Sequence, residues 1–382
     1  MSVFRSRPAL RWLVPSAAAV LVIGGGAAAG TIAASADPSL PARSAAQLLV
    51  DVQNAKIDGL SGTIVETADL GLPALSGLGG NGAEITKLIA GSNSARVWYA
   101  GQDKARVALL GTLGETDVIR NGSDVWMWQS RDNSATHLTL PAGSAEKTPS
   151  ALPGGLPSTP QEAADAALAA IDPTTAVSTT GAAKVAGRDA YELVLAPKDT
   201  ASLIGQVRLA IDAKQHIPLR VEVYAKDANS PAVRIAFQQI SFTVPDAQQF
   251  AFNPPAGAKV TDEKSSDVAK AQDKAEKAAG EAAEKPAATA ADRKVVGTGW
   301  TSVFVAKMPQ DNAAAKPGDS ATPKGSEAAT AAGLIDALPK VSGTWGSGHL
   351  LAGSLFSALI TDDGRVLIGA VAPEKLYEAA GK

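Results

Sequence analysis

Apolar and polar residues alternate through the run 94–140, in Arg96-Val97-Trp98-Tyr99, Ala105-Arg106-Val107-Ala108-Leu109, Asp117-Val118-Ile119-Arg120 and Asp124-Val125-Trp126-Met127-Trp128. A period of two sends successive side chains to opposite faces of a sheet, and Asn121-Gly122 is a strong hairpin signal, so this run reads as a β-meander with a large aromatic buried face. The pattern resumes at 190–195, 206–211, 219–224 and 232–242, with turn-prone Asp212-Ala213-Lys214-Gln215 and Asp227-Ala228-Asn229-Ser230-Pro231 between strands. Val221 and Val223 face one way, Arg220, Glu222 and Tyr224 the other.

Helical spacing replaces alternation at two places. Ala45, Leu48, Leu49 and Val52 share one face of an amphipathic helix, and the strand Gly59 to Thr67 follows, with Ile64 and Glu66 on one side. Thr159-Pro160-Gln161-Glu162 combines an N-cap, a proline at the first helical position and a capping-box acid, which opens a helix through Ile171. Both helices carry stripes able to cover a sheet. Between the first strand and the meander, residues 70–93 set Leu70, Leu72, Leu75, Leu78, Ile85, Leu88 and Ile89 among glycines. Leaving such leucines in water forfeits about 1.5–3 kcal/mol each, so the segment either caps the core or forms a lid over a ligand cavity, with Leu72, Leu75, Leu78, Ile85 and Leu88 as the lid residues.

Composition changes at both ends. In residues 1–36, Arg5, Arg7 and Arg11 precede an apolar stretch, and Ala34-Ser35-Ala36 fits a cleavage site, which reads as a signal peptide. The alternative is a retained membrane anchor over residues 12–34. Either reading puts the folded part outside the cytoplasmic membrane, secreted or anchored. Residues 261–294 are rich in Ala, Glu, Lys and Asp, without an apolar stripe, and read as a charged linker. Beyond it, 295–382 forms a small C-terminal domain, with strand-like Trp300, Val303 and Val305 within 298–307, a helix at 328–338 and a hairpin turning at Asp363-Gly364.

The 382 residues are 45% hydrophobic and 19% charged, enough for one or two ordinary cores, and the net charge of −3 gives no reason to expect nucleic-acid binding. With no cysteine, the chain has no disulfide, thiolate metal site or lipid-modified N-terminal Cys. The Gly, Pro and Ala content is that of a coding sequence rich in G and C.

Residues 44–258 resemble the superfamily of the outer-membrane lipoprotein carrier LolA and, equally, the N-terminal domain of the periplasmic regulator RseB, also called MucB. The carrying residues are Ala46-Gln47-Leu48-Leu49, Arg96-Val97-Trp98-Tyr99, the run Asp117 to Trp128, Gly187-Arg188-Asp189-Ala190-Tyr191-Glu192-Leu193, Ile217 to Val223 and Phe250-Ala251-Phe252-Asn253-Pro254-Pro255. The composition fits an exported actinobacterial member. The resemblance implies an α+β, mainly β fold: an unclosed antiparallel β-barrel half-shell over 41–260, covered by helices, with a small C-terminal α/β module. Relatives hold acyl chains of lipoproteins or sense envelope proteins in that cavity. The module resembles, in order and character, the smaller domain of RseB, which holds an anti-sigma factor.

Chemistry argues against an enzyme. His137, His216 and His349 are far apart, Asp362 and Asp363 are turn formers, and no phosphate loop, His-x-x-x-His or Gly-x-Ser-x-Gly occurs. No catalytic residue, metal ligand or cofactor is assigned. The expected function is non-enzymatic binding of lipid or lipoprotein acyl chains, with Trp98, Val107, Leu109, Trp126, Trp128, Leu193, Val221 and Val223 lining the cavity; the tryptophans serve equally as core filling. The alternative is a regulator whose C-terminal module docks a membrane anti-sigma factor or another envelope partner.

Overall fold

The computed structural model describes residues 40–72, 90–111, 114–140, 173–264, 293–307, 335 and 337–381. The first element is α1 (Ala45–Asn54), held by a capping box. The Gln47 N–H donates to Ser44 Oγ at 3.3 Å, and the Ser44 N–H donates to Gln47 Oε1 at 2.9 Å. These bonds satisfy two amides that the first helical turn would otherwise leave unpaired. Leu48 and Val52, one turn apart, are buried, while Val50 on the far side is exposed.

Eleven strands follow in two meanders. The first comprises β1 (Gly59–Asp69), β2 (Ala90–Ala100), β3 (Lys104–Gly111), β4 (Gly114–Asn121), β5 (Asp124–Gln129) and β6 (Ser134–Thr139). The second comprises β7 (Thr175–Val185), β8 (Arg188–Pro197), β9 (Ile204–Asp212), β10 (Pro218–Ala225) and β11 (Pro231–Ser241). Antiparallel pairing of β1 with β11 welds the two meanders into one sheet. After a short 3-10 turn at Ala247–Phe250, β12 (Lys259–Lys264) adds to the edge, parallel to β6. The strand order is β12-β6-β5-β4-β3-β2-β1-β11-β10-β9-β8-β7, so the edges stay apart and the sheet is open.

A second sheet is built from β13 (Arg293–Val296), β14 (Val303–Lys307), β15 (Lys340–Gly343), β16 (Gly346–Ala352), β17 (Ser357–Thr361) and β18 (Arg365–Gly369), in the order β13-β14-β18-β17-β16-β15. The chain ends on α2 (Pro373–Ala380), with proline at its start. One face of this sheet, with Val303, Leu359 and Leu367, packs on Leu376 of α2 in a small core of its own. On its other face Leu351 and Ile368 join the large core, together with Trp300, Leu355, Phe356 and Ala370.

The two sheets are bonded as well as packed. Trp300 Nε1 donates to Thr175 Oγ1 at 2.8 Å, the Leu203 N–H donates to the Ala370 carbonyl at 2.8 Å, and the Ser354 N–H donates to the Leu70 carbonyl at 2.7 Å.

Several expectations change. Strands stand at both ends of the segment read as a linker, because Val260 and the residues after it pair with β6 and Val295 pairs with Phe304. The helix α2 was not anticipated, and Leu338, placed at the end of a helix, lies buried in a turn. Residues 1–36, the helix from Thr159 to Ile171 and most of the helix at 328–338 lie outside the described residues, as do lid residues Leu75, Leu78, Ile85 and Leu88.

Candidate functional site

Strand register decides which side chains meet, because directly paired residues point to the same face. One row runs Gly62, Val97, Val107, Val118, Met127 and Thr136 across β1 to β6. Rows on the same face contain Ile64, Ala95 and Leu109 on one side and Tyr99, Ala105, Arg120, Val125 and Leu138 on the other. In the second meander this face carries Leu193, Leu209, Val221 and Ile235 in one row and Leu195, Val207, Val223 and Val233 in the next. It is the face that α1 covers: Leu48 and Val52 share one core with Leu193, Leu195, Leu209 and Ile235, and Arg43, just before the helix, lies over the Tyr191 ring. We call it the inner face.

Burial divides that face. Leu193, Leu195 and Leu209 have no exposure at all. By contrast Val107, Leu109, Val118, Val125, Met127 and Leu138, on β3 to β6, are all half-buried. The inner face is therefore a packed core under one meander and a partly accessible aliphatic strip under the other.

The eight residues expected to line a cavity do not share a face. Val107, Leu109, Leu193, Val221 and Val223 are inner. Trp98, Trp126 and Trp128 are outer, because Trp98 pairs with Arg106, Arg106 with Ile119, and Ile119 with Trp126, while Trp128 pairs with Asp117. The tryptophans meet other partners there. Trp126 stacks on His137 at 4.2 Å between ring centres and contacts Phe252 at 5.3 Å, Trp128 lies 6.0 Å from Phe252, and the Arg106 guanidinium lies over Trp98 at 5.2 Å. Arg106 also pairs with buried Asp117 and donates to the Gln249 carbonyl, so the chain after β11 is strapped across the outer face, with Phe250 fully buried. The aromatic face of the meander thus receives the protein's own C-terminal strap. Alternation established that Trp126 and Trp128 share a face; it carries no information on which face the helix takes.

Leu72 is the described member of the expected lid. It packs partly buried against the main core, beside buried Leu70, and approaches the turn at Gly353 of the second sheet.

Two charged groups occupy inner-face positions in phase with aliphatic ones. Glu66 lies between Ile235 and Asn93 in register, and its carboxyl is pushed up to about 7 by burial, against the hydrogen bond from Asn93. Arg120, in the row with Ala105 and Val125, is only 8% exposed. Neither was singled out from the sequence, although a charge in step with Ile64 or Val118 was the available signal. His137, expected to be an ordinary surface histidine, bridges Asp124 at 2.9 Å and Asp262 at 3.1 Å. Burial opposes its charged form, but the two carboxylates outweigh that and raise its pKa. It ties β12 to the sheet edge. Among the described residues no group of three or more His, Cys, Asp or Glu is arranged to hold a metal ion.

The site is thus the aliphatic inner face of an open, mainly antiparallel sheet, covered in part by α1. Residues 85–256 match the family model of the MucB/RseB N-terminal domain, so this stretch of the chain is similar to that domain. The structure of MucB in complex with MucA(peri) aligns at 13% identity and a TM-score of 0.41, covering 88% of this chain and 97% of that one. The Pseudomonas aeruginosa MucA/MucB complex aligns at 15% identity and 0.40, covering 88% and 96%. A LolA superfamily protein from Nitrosomonas europaea aligns at 10% identity and 0.23, covering 55% and 99%. No curated protein sequence matches the chain.

Proposed function

We propose that the protein is a non-enzymatic, extracytoplasmic binder of lipid or lipoprotein acyl chains, held on the inner face of the open sheet. The observation that carries this reading is the half-buried strip of Val107, Leu109, Val118, Val125, Met127 and Leu138, continuous with the packed core under α1. Burying an acyl chain there is favourable by about 0.8 kcal/mol per methylene, and the strip offers no polar group that would direct bond-breaking chemistry. The tryptophans leave the proposed lining; Val107 and Leu109 stay in it, joined by Val118, Val125 and Met127. Leu193, Val221 and Val223 form its packed continuation. Leu72, Leu75, Leu78, Ile85 and Leu88 of the segment 70–93 stay the proposed lid residues; Leu72 is the described one and packs beside Leu70.

Native mass spectrometry of protein purified from its own envelope tests the reading, with co-purifying lipid as the expected result. Met127→Asp, which places a charge in the middle of the strip, should abolish that lipid while leaving the melting temperature within a few degrees. Lipid-free protein from the envelope, or equal lipid on Met127→Asp, would sink it.

A second reading, a regulator that binds a membrane anti-sigma factor or another envelope partner, is favoured by one feature. The C-terminal sheet is firmly docked through Trp300 and Phe356, yet α2 carries Tyr377 stacked on Trp345 at 5.4 Å on the side away from the large sheet. Crosslinking in the native envelope, with and without Tyr377→Ala and Trp345→Ala, separates this reading from a plain carrier. A partner lost only from the variants supports it.

A further inference from the structure

Among the described residues, the half-buried and buried arginines of the large sheet are mostly paired with carboxylates. Arg106 pairs with Asp117, Arg188 with Asp212, Arg220 with Glu192 and Glu222, and Arg234 with Glu222. Arg120 is the exception. Its Nε donates to the Gly122 carbonyl at 3.2 Å, while Nη1 is buried with no hydrogen-bond partner, and no carboxylate pairs with it among the described residues. Removing a cation from water without a counter-charge is costly, so a fold that merely needed to fill this position would do better with a neutral side chain.

Position gives the unpaired charge a use. Arg120 stands on the inner face beside Val118 and Val125, the aliphatic strip just described. The C-terminal sheet bonds to the other end of the large sheet, at Leu70, Thr175 and Leu203, so the row of Arg120 lies at the end away from it. The inner-face carboxyl of Glu66 lies three rows away on β1, beyond the reach of an ion pair with Arg120. It does not neutralise Arg120.

We propose that Arg120 is the anchoring residue for an anionic headgroup, a carboxylate or a phosphate, of an amphiphile whose chain runs along Val118, Met127 and Val107 away from it. This rests on the acyl-binding reading above and adds the headgroup class and the direction of the ligand. A guanidinium matches both oxyanions by paired N–H donors, and desolvation strengthens such bonds.

The test is binding of three probes to the full chain by native mass spectrometry and fluorescence displacement: oleic acid, a phosphatidylglycerol, and an uncharged monoacylglycerol of equal chain length. Wild-type protein is expected to bind at least one anionic probe about tenfold more tightly than the neutral one, the size a charge-assisted hydrogen bond confers. Preference for oleic acid identifies a carboxylate ligand, preference for phosphatidylglycerol a phosphate. Arg120→Gln should lose that preference with unchanged affinity for the monoacylglycerol, Arg120→Lys should keep part of it, and ligand-free Arg120→Gln should melt no lower than wild type. Equal binding of all three probes by wild type overturns the headgroup proposal and leaves the acyl-binding reading standing. Binding of none overturns both. A lower melting temperature of Arg120→Gln with the preference intact makes Arg120 a structural residue and also overturns the proposal.

Discussion

At the scale of the residue, the inner face is distinguished by charges placed where aliphatic side chains would pack. Glu66 shows what that costs. Its carboxyl titrates at about 7 in the fold against an ordinary value of 4.5, because burial disfavours the charged form more than the Asn93 bond supports it. A raised folded pKa means that the favourable contribution is complete below the unfolded value and is lost as pH rises through 7. Glu66→Gln should therefore change the melting temperature little at pH 4 and raise it by several degrees at pH 8. A pH-independent difference between the two proteins would refute this. Arg120 is likewise a buried charge without a carboxylate partner among the described residues, a placement that costs stability. Both residues could be found by eye once the face was known: Glu66 is in step with Ile64, and Arg120 with Val118. Alternation alone also put Trp126 and Trp128 together, and there it was insufficient.

At the scale of the element, the junction between the sheets depends on one short turn, Gly299–Thr301. Gly299 has φ of +61°, a left-handed conformation, and a Cβ at this position would collide with the Thr174 side chain. Only glycine permits the next residue, Trp300, to reach Thr175 from that turn. Gly299→Ala should lower stability by about 1–3 kcal/mol through backbone strain and the clash together, read as a drop in denaturation midpoint with the slope unchanged. An unchanged midpoint would mean that the junction contributes nothing. Elements of this kind were partly legible beforehand. The stripe Ala45, Leu48, Leu49 and Val52 and the turn at Asp363-Gly364 act within a few residues and leave their mark in the sequence, whereas the capping box at Ser44 emerged from the structure. The helix Pro373–Ala380 and the parallel strand Lys259–Lys264 left no such mark, because eight residues of weak stripe and six residues of which four are charged acquire their structure only against a partner surface.

At the scale of the whole molecule, the C-terminal sheet is part of the large core and not an appendage on a linker. Trp300, Leu355, Phe356 and Ala370 are counted among the residues that pack with Leu70 and Ile204. Truncation after residue 294 should leave a fragment that melts at least ten degrees lower and binds hydrophobic dyes, since it uncovers several fully buried side chains. A fragment as stable as the full chain would show that the two sheets are independent.

The sequence by itself determined most strands of both meanders (β7 excepted), the amphipathic helix before them, the hairpins and the family resemblance, because hydrophobic period and turn residues act over short distances. Only the tertiary structure decided which face became the inside. A period of two defines two faces and is symmetric between them; the choice was made by the long-range pairing of β1 with β11, by the docking of α1 on Leu193 and Leu209, and by the strap of Phe250 and Phe252 that took the tryptophan face. These contacts join residues far apart in the chain, so no local pattern encodes their outcome.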